Sequence, residues 1–195
     1  MPNPSHESLA PLSKPQVVVV ACIAWVLLSI GSAPSRIDPV VETQPAAAAV
    51  APDADSSAIA RVLTRAGGMI SAPERERIAR AVVRYSAKYG LEAELVTAVM
   101  LVESRGLPSA RSPKGAVGLM QVMPAMLEPL GMVGNLTTVE SNVEAGCLIL
   151  ADNIRRMGEE DGILAYFWGP NIRGDAYLDR VRAARAEVRR ILRAS

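Results

Sequence analysis

Between Ser71 and Gly90 the residues Ile78, Ala81, Val82 and Tyr85 recur at the three- and four-residue spacing of one helix face. Ser71-Ala-Pro-Glu74 ahead of them has the form of a capping box with an early proline, and Gly90 behind them suits a left-handed cap. The next segment, Leu91 to Ser104, is patterned differently. Leu91, Leu95, Val99 and Val102 lie on one side, and Val96, Met100 and Glu103 on the adjoining one. A helix that is apolar almost all round belongs in the middle of a domain, so an acid near its end is chemically conspicuous. Gly106 and Pro108 then stop it. Further helices are expected at Leu119 to Glu128, at Val139 to Met157, at Gly162 to Trp168 after an Asp161 cap, and at Ala176 to Leu192 after Asp175. Long loops are expected at 105–117 and 131–138. No stretch sustains period-two alternation, so the fold class is mainly α.

The N-terminal third has another character. Val17 to Ile30 is a nearly unbroken apolar run behind Lys14, followed by Gly31, Ser32, Ala33 and Pro34. The run is shorter than the ~20 residues that span a bilayer comfortably, and the small residues fit an export signal cleaved after Ala33. An uncleaved inner-membrane anchor is the second reading, since flanking Ser, Ala and Gly could lengthen the span. A third takes Val19-Val20-Ala21-Cys22 as a lipoprotein box, although the apolar stretch before Cys22 is very short. From Ala33 to about Ser57 the chain is rich in Pro and Ala without periodicity, which marks a linker. The organisation read from sequence is therefore a signal or anchor over 1–33, a linker over 34–57 and a folded body over 58–195, exported to the periplasm.

Composition narrows the chemistry. The chain has 195 residues, with Lys+Arg 21 against Asp+Glu 20 and a formal net charge of +1. That balance and the absence of a dispersed basic stripe speak against a dedicated nucleic-acid binder. The single histidine, His6, lies in the polar leader, which excludes Ser-His-Asp and Cys-His nucleophile systems on the folded body. The two cysteines, Cys22 and Cys147, cannot build a thiolate zinc cage. No cofactor or metal is implied. Cys147, unpaired in an oxidising compartment if the leader is exported, reads as a small buried apolar residue on a helix. What remains for catalysis is carboxylate, hydroxyl, amide and aromatic groups. Tyr166, Phe167 and Trp168 hold three of the aromatics beyond the leader; they are either core or a wall on which a sugar ring stacks. The run from Leu178 to Ser195 carries six arginines against Asp179 and Glu187. It is a solvated amphipathic face or a surface attracted to an anionic polymer or membrane.

Glu103 shares its helix face with Val96, Val99 and Met100, so its carboxyl should be partly desolvated, with a raised pKa that keeps it protonated near neutrality. A protonated acid can donate to a leaving group, although a buried ion pair or a capping role is the commoner explanation of such a residue. Nine residues on, Ser112-Pro113-Lys114-Gly115-Ala116 makes a turn with a free hydroxyl, and Gly118-Leu119-Met120-Gln121-Val122-Met123-Pro124 adds an amide and two thioethers. The stretch Glu103 to Pro124, ESRGLPSARSPKGAVGLMQVMP, closely resembles the active-site segment of the soluble-type lytic transglycosylases, lysozyme-like enzymes of the bacterial cell wall. Asn142-Val143-Glu144-Ala145-Gly146 is similar to that family's N-x-x-x-G helix, and Ala165 to Pro170 (AYFWGP) resembles its AYNAGP motif. Phe167 departs from the pattern by standing where asparagine is usual, and Gly106 and Leu107 replace the usual aromatic and asparagine.

The resemblance implies a lysozyme-like α-helical domain that cleaves the MurNAc-GlcNAc β-1,4 bond of peptidoglycan as a carbon-oxygen lyase. Glu103 would protonate the glycosidic oxygen, then act as a base on the muramyl C6 hydroxyl to close a 1,6-anhydro ring. Ser104, Ser112, Gly118, Gln121, Tyr166 and Phe167 would contact substrate, with Met120 or Met123 as apolar walls. In the family the tyrosine of the AYNAGP motif reaches toward the glutamate, a role carried here to Tyr166, while the asparagine's amide role passes to no residue. Most glycosidases need two carboxylates, yet Asp152, Asp161, Glu128 and Glu144 all lie where capping or exposure explains them. Two alternatives stay open: a hydrolytic muramidase using the same glutamate, and a wall-binding or assembly protein of the same fold without turnover. The implied partner is the glycan strand, bound by a monomer that meets the membrane only through its N-terminal segment. Small exported members often serve a secretion or conjugation apparatus, and nothing in this sequence says so.

Overall fold

In the computed structural model, which describes residues 54–67, 70–132 and 134–194, the backbone forms six α-helices. They are α1 (Ala54–Arg65), α2 (Ala72–Tyr89), α3 (Ala93–Ser104), α4 (Val139–Met157), α5 (Glu159–Trp168) and α6 (Ala176–Arg193), with a single 3-10 turn at Pro124–Met126. Among the described residues the only β pairing is a pair of isolated antiparallel bridges, Arg111 with Val117 and Val117 with Val122. No described helix is long and apolar enough to cross a membrane. The signal or anchor reading of 1–33 and most of the linker lie outside the described residues.

The capping chemistry expected at α2 is present. Ser71 accepts a hydrogen bond from the Glu74 amide at 3.3 Å, and Gly90 closes the helix at φ 66°. α4 keeps the bounds read from its periodicity, with Thr138 accepting from the Ser141 amide at its start. Three elements differ from expectation by more than a residue or two at an end. α1 begins inside the stretch read as linker, because Ile59, Val62 and Leu63 supply a helical apolar stripe that buries almost completely. α5 begins at Glu159 after Gly158, with Glu159, Glu160 and Asp161 together in its first turn, where carboxylates complement the helix dipole; Asp161 is thus inside the helix and not its cap. The helix expected over Leu119 to Glu128 does not form. Gly118 at φ 78° and Gln121 at φ 49° occupy the left-handed region, and Val117 and Val122 exchange backbone hydrogen bonds across the turn they create.

α3 is the buried centre. Leu95, Val96, Thr97, Ala98, Val99 and Met100 are all at or below 2% exposure, so the helix is sealed on every side over 95–100. It packs against α2 and α6; α1 bridges those two, while α4 lies on α2 and pairs closely with α5. The α4–α5 approach is tight at Gly162, where a Cβ would fall 2.6 Å from the Cα of Ile154. The main core joins Ile78, Val82, Val96, Val99, Met100, Leu119, Met120, Val143, Cys147 and Leu150. Burial pushes the Cys147 thiol up to about 12, consistent with its reading as an apolar side chain.

The arginines of α6 are largely spoken for within the chain. Arg185 pairs with Glu92 and, at 2.7 Å, with Glu159; Arg189 meets Glu94 at 2.9 Å, Arg190 meets Glu187, and Arg182 meets Glu160. Exposed pairs add little singly, but those with Glu92, Glu94, Glu159 and Glu160 stitch α6 to α5 and to the N-terminal end of α3. The basic run is thus mostly a neutralised helix face.

Candidate active site

Glu103 is the penultimate residue of α3 and is half-buried. The chain stops the helix immediately behind it. Arg105 takes a left-handed conformation at φ 55° and donates its amide to the Leu101 carbonyl, and the Ser104 hydroxyl donates to the Met100 carbonyl while accepting from the Gly106 amide. The buried helix therefore ends where its carboxyl reaches the lip of the core. Ser104 itself is 6% exposed and its hydroxyl is consumed by this cap, so the expected substrate contact gives way to a structural one.

Tyr177, near the start of α6, donates its hydroxyl to Glu103 Oε1 at 2.6 Å. Burial raises the Glu103 pKa; the Tyr177 hydrogen bond and the charge of Arg180 oppose it without cancelling it. The Tyr177 hydroxyl is in turn held far above its ordinary range, first by burial and then by the Glu103 charge. Burial thus shifts the carboxyl toward the protonated form that a general acid needs, while the Tyr177 hydroxyl and Arg180 favour the carboxylate it leaves behind.

The residue expected to reach the glutamate is Tyr166, and here the structure differs. Its hydroxyl donates to the Met120 carbonyl at 2.7 Å. Tyr166 is still close enough for the Glu103 charge to raise its pKa, although burial is the larger cause. Sequence reading missed Tyr177 as a functional residue. The available signal is its place on the buried stripe of α6 with Leu178 and Val181, where a tyrosine hydroxyl must find a partner.

The loop from Arg105 to Met123 is held by side chains that sequence reading assigned to substrate. The Ser112 hydroxyl accepts from the Ala116 amide at 3.0 Å, closing the turn that opens the motif. Gln121 directs its Nε2 to the carbonyls of Gly118 at 3.0 Å and Ala110 at 3.3 Å. Gly118 is required by space as well as by φ, since a Cβ there would lie 2.3 Å from Asn142 Nδ2. Asn142, 1% exposed, is the keystone: its Oδ1 accepts from the Met120 amide, and its Nδ2 donates to the carbonyls of Val117 and Leu136, all within 2.9 Å. Met120 is fully buried and lies over Gly146, where a Cβ would meet its side chain at 2.5 Å. Its expected place as a wall of the site is therefore corrected to core. Met123, 40% exposed, keeps an open apolar surface.

Phe167 is 46% exposed. Its ring stacks on Tyr177, with centroids 4.7 Å apart and planes at 15°, and meets the Trp168 ring edge-on at 4.9 Å. The other carboxylates weighed as partners for Glu103 are accounted for elsewhere. Asp152 pairs with Arg155 and Arg156, Glu144 with Lys88 and Tyr89, and Glu128 and Asp161 are exposed. The arrangement is one half-buried carboxyl with a tyrosine hydroxyl on it, beside a loop pinned by Ser112, Gln121 and Asn142.

Residues 80–186 match the family described as Transglycosylase SLT domain. Over 87 residues, 44% of this chain and 32% of the relative, the sequence is 41% identical to a protein of Enterobacteria phage PRD1 named Transglycosylase. Among solved structures it is similar to an inactive mutant of the lytic transglycosylase Slt from Pseudomonas aeruginosa, at TM-score 0.45 and 21% identity, covering 68% of this chain and 26% of that one. The chain thus spans about a third or less of either relative. With the family match extending over more than half of its length and across Glu103, the pinned loop, Tyr166 and Tyr177, the chain belongs to the transglycosylase SLT domain family.

Proposed function

We propose that this protein is a peptidoglycan lytic transglycosylase that cleaves the bond between N-acetylmuramic acid and N-acetylglucosamine and leaves a 1,6-anhydromuramyl end. The observation that carries the reading is Glu103: a desolvated carboxyl with its pKa raised, held by the Tyr177 hydroxyl at 2.6 Å. Such a carboxyl gives its proton to the glycosidic oxygen as the C1–O bond breaks, and positive charge grows at C1. The substrate's own N-acetyl carbonyl can stabilise that centre, so no second protein carboxylate is required. The Glu103 carboxylate then takes the proton of the C6 hydroxyl as its oxygen bonds to C1. The enzyme returns to its starting state and no water enters the product. Tyr177 donates to the carboxylate during the interval in which it is charged, a preorganised donor of the kind that stabilises developing charge.

Ser112 and Gln121 support the geometry of the loop, and Met123, which is exposed, offers apolar surface to the sugars. Export to the periplasm follows from the substrate and from the N-terminal apolar run. The test is mass spectrometry of fragments released from purified peptidoglycan by the protein and by its Glu103→Gln variant. Products one water lighter than hydrolysis products, absent with the variant, are expected. Reducing-end products would move the protein to the muramidase class, and no products would favour a binding or assembly role.

A further inference from the structure

Tyr177 is the second residue of α6, in a turn where helices fray, yet its hydroxyl must stay on Glu103. The usual anchor for such a turn is missing: Asp175 occupies the cap position without a side-chain capping bond. Beside the burial of Tyr177 and Leu178 in the core, an aromatic stack from the end of α5 holds the turn. The Phe167 ring lies on the Tyr177 ring, near-parallel at 4.7 Å. Trp168 packs edge-on against Phe167, and its Nε1 donates to the Gly174 carbonyl at 3.1 Å, which ties the stack to the loop leading into α6. Arg180, three residues beyond Tyr177 and so on the same side of the helix, sets its guanidinium 5.5 Å from the Tyr177 centroid and 5.7 Å from that of Phe167.

We propose that Phe167 is a positioning residue for Glu103, acting through its neighbours: its ring fixes the Tyr177 hydroxyl on the carboxyl and holds the Arg180 guanidinium beside it. Asparagine at this position has no ring face to do either. The inference rests on the reading of Glu103 as the acid and base of the reaction. The titratable groups that act on Glu103 are Tyr177 and Arg180 from α6, and Tyr166 from α5 feels the charges of Glu103 and of Cys147 from α4. Of these, Tyr177 and Arg180 hold the carboxyl below the pKa that burial alone would give it. Releasing both lets the pKa rise. The acid stays protonated to higher pH, while turnover falls because the carboxylate formed after proton transfer loses its fixed donor and charge.

The test uses Phe167→Asn, Phe167→Leu and Phe167→Tyr in the full chain. Turnover of purified peptidoglycan is measured against pH, and the Glu103 carboxyl is titrated by carbon NMR in the substrate-free protein. Asn and Leu are expected to lower kcat on the order of tenfold with little change in apparent KM. They should also move the alkaline limb and the Glu103 midpoint upward by about half a pH unit. Tyr, which keeps the ring, should return the midpoint to the wild-type value. A raised KM with an unmoved midpoint would show that Phe167 acts as a sugar-stacking surface, and lost activity with the midpoint fallen to the ordinary carboxylate range would show a general folding defect; either overturns the proposal. If wild-type cleavage does not depend on Glu103, the functional reading fails while the titration still decides whether Phe167 positions the carboxyl.

Discussion

Replacing Asn142 tests whether the loop beside Glu103 is held by one side chain. In Asn142→Ala the carbonyl of Val117 retains a partner, because the Val122 amide also donates to it at 3.1 Å. The buried Met120 amide and the Leu136 carbonyl lose theirs. A buried polar group left unpaired costs about 1–3 kcal/mol, so the variant should lose roughly 3 kcal/mol. For a body of this size that lowers the melting temperature by roughly 10 °C, read by far-UV circular dichroism. Gly118 supplies the control. Gly118→Ala forces a Cβ to φ 78° and to 2.3 Å from Asn142 Nδ2, combining left-handed strain of about 1–2 kcal/mol with overpacking of about 1–3 kcal/mol. In Asn142→Ala the overpacking has no partner and only the strain remains. The double variant should therefore lose less than the sum of the singles by about 1 kcal/mol or more. A melting drop under about 3 °C for Asn142→Ala, or a double variant additive within about 0.3 kcal/mol, would refute the keystone role.

Two further outcomes follow from the same geometry. A carboxyl whose folded pKa is raised stabilises the fold fully below its unfolded pKa and loses that contribution as pH rises through the folded value. Glu103→Gln, which never ionises, should therefore melt above the wild type at neutral pH. The gap should close as the pH is taken below the ordinary carboxylate range, and a wild type that melts higher at neutral pH would contradict the burial argument. Gly162→Ala should lose roughly 1–3 kcal/mol, because its Cβ meets the Ile154 backbone and α4 and α5 must part. The helix-propensity gain of about 1 kcal/mol offsets only part of this, and an unchanged melting temperature would show that the two helices can separate freely.

Periodicity and caps made α2, α3, α4 and α6 legible in the chain itself. An apolar stripe with a start signal and a stop signal needs only neighbours three and four residues away, and those are sequence facts. The same local reasoning placed Glu103 at the end of a helix buried on all sides, which is why its raised pKa could be expected before any contact was known. It failed over Leu119 to Glu128, where apolar spacing resembles a helix but Gly118 and Gln121 are locked left-handed by Asn142 and the Ala110 carbonyl, both distant along the chain. Which tyrosine holds Glu103 is a question of the same kind. Tyr166 and Tyr177 are both buried hydroxyls seeking an acceptor, and only the packing of α5 and α6 against α3 gives the first a backbone carbonyl and the second the carboxylate. Residue types and spacing determined that an acid would be desolvated. Long-range packing decided what touches it, because hydrogen-bond partners tens of residues apart leave no periodic trace in the sequence.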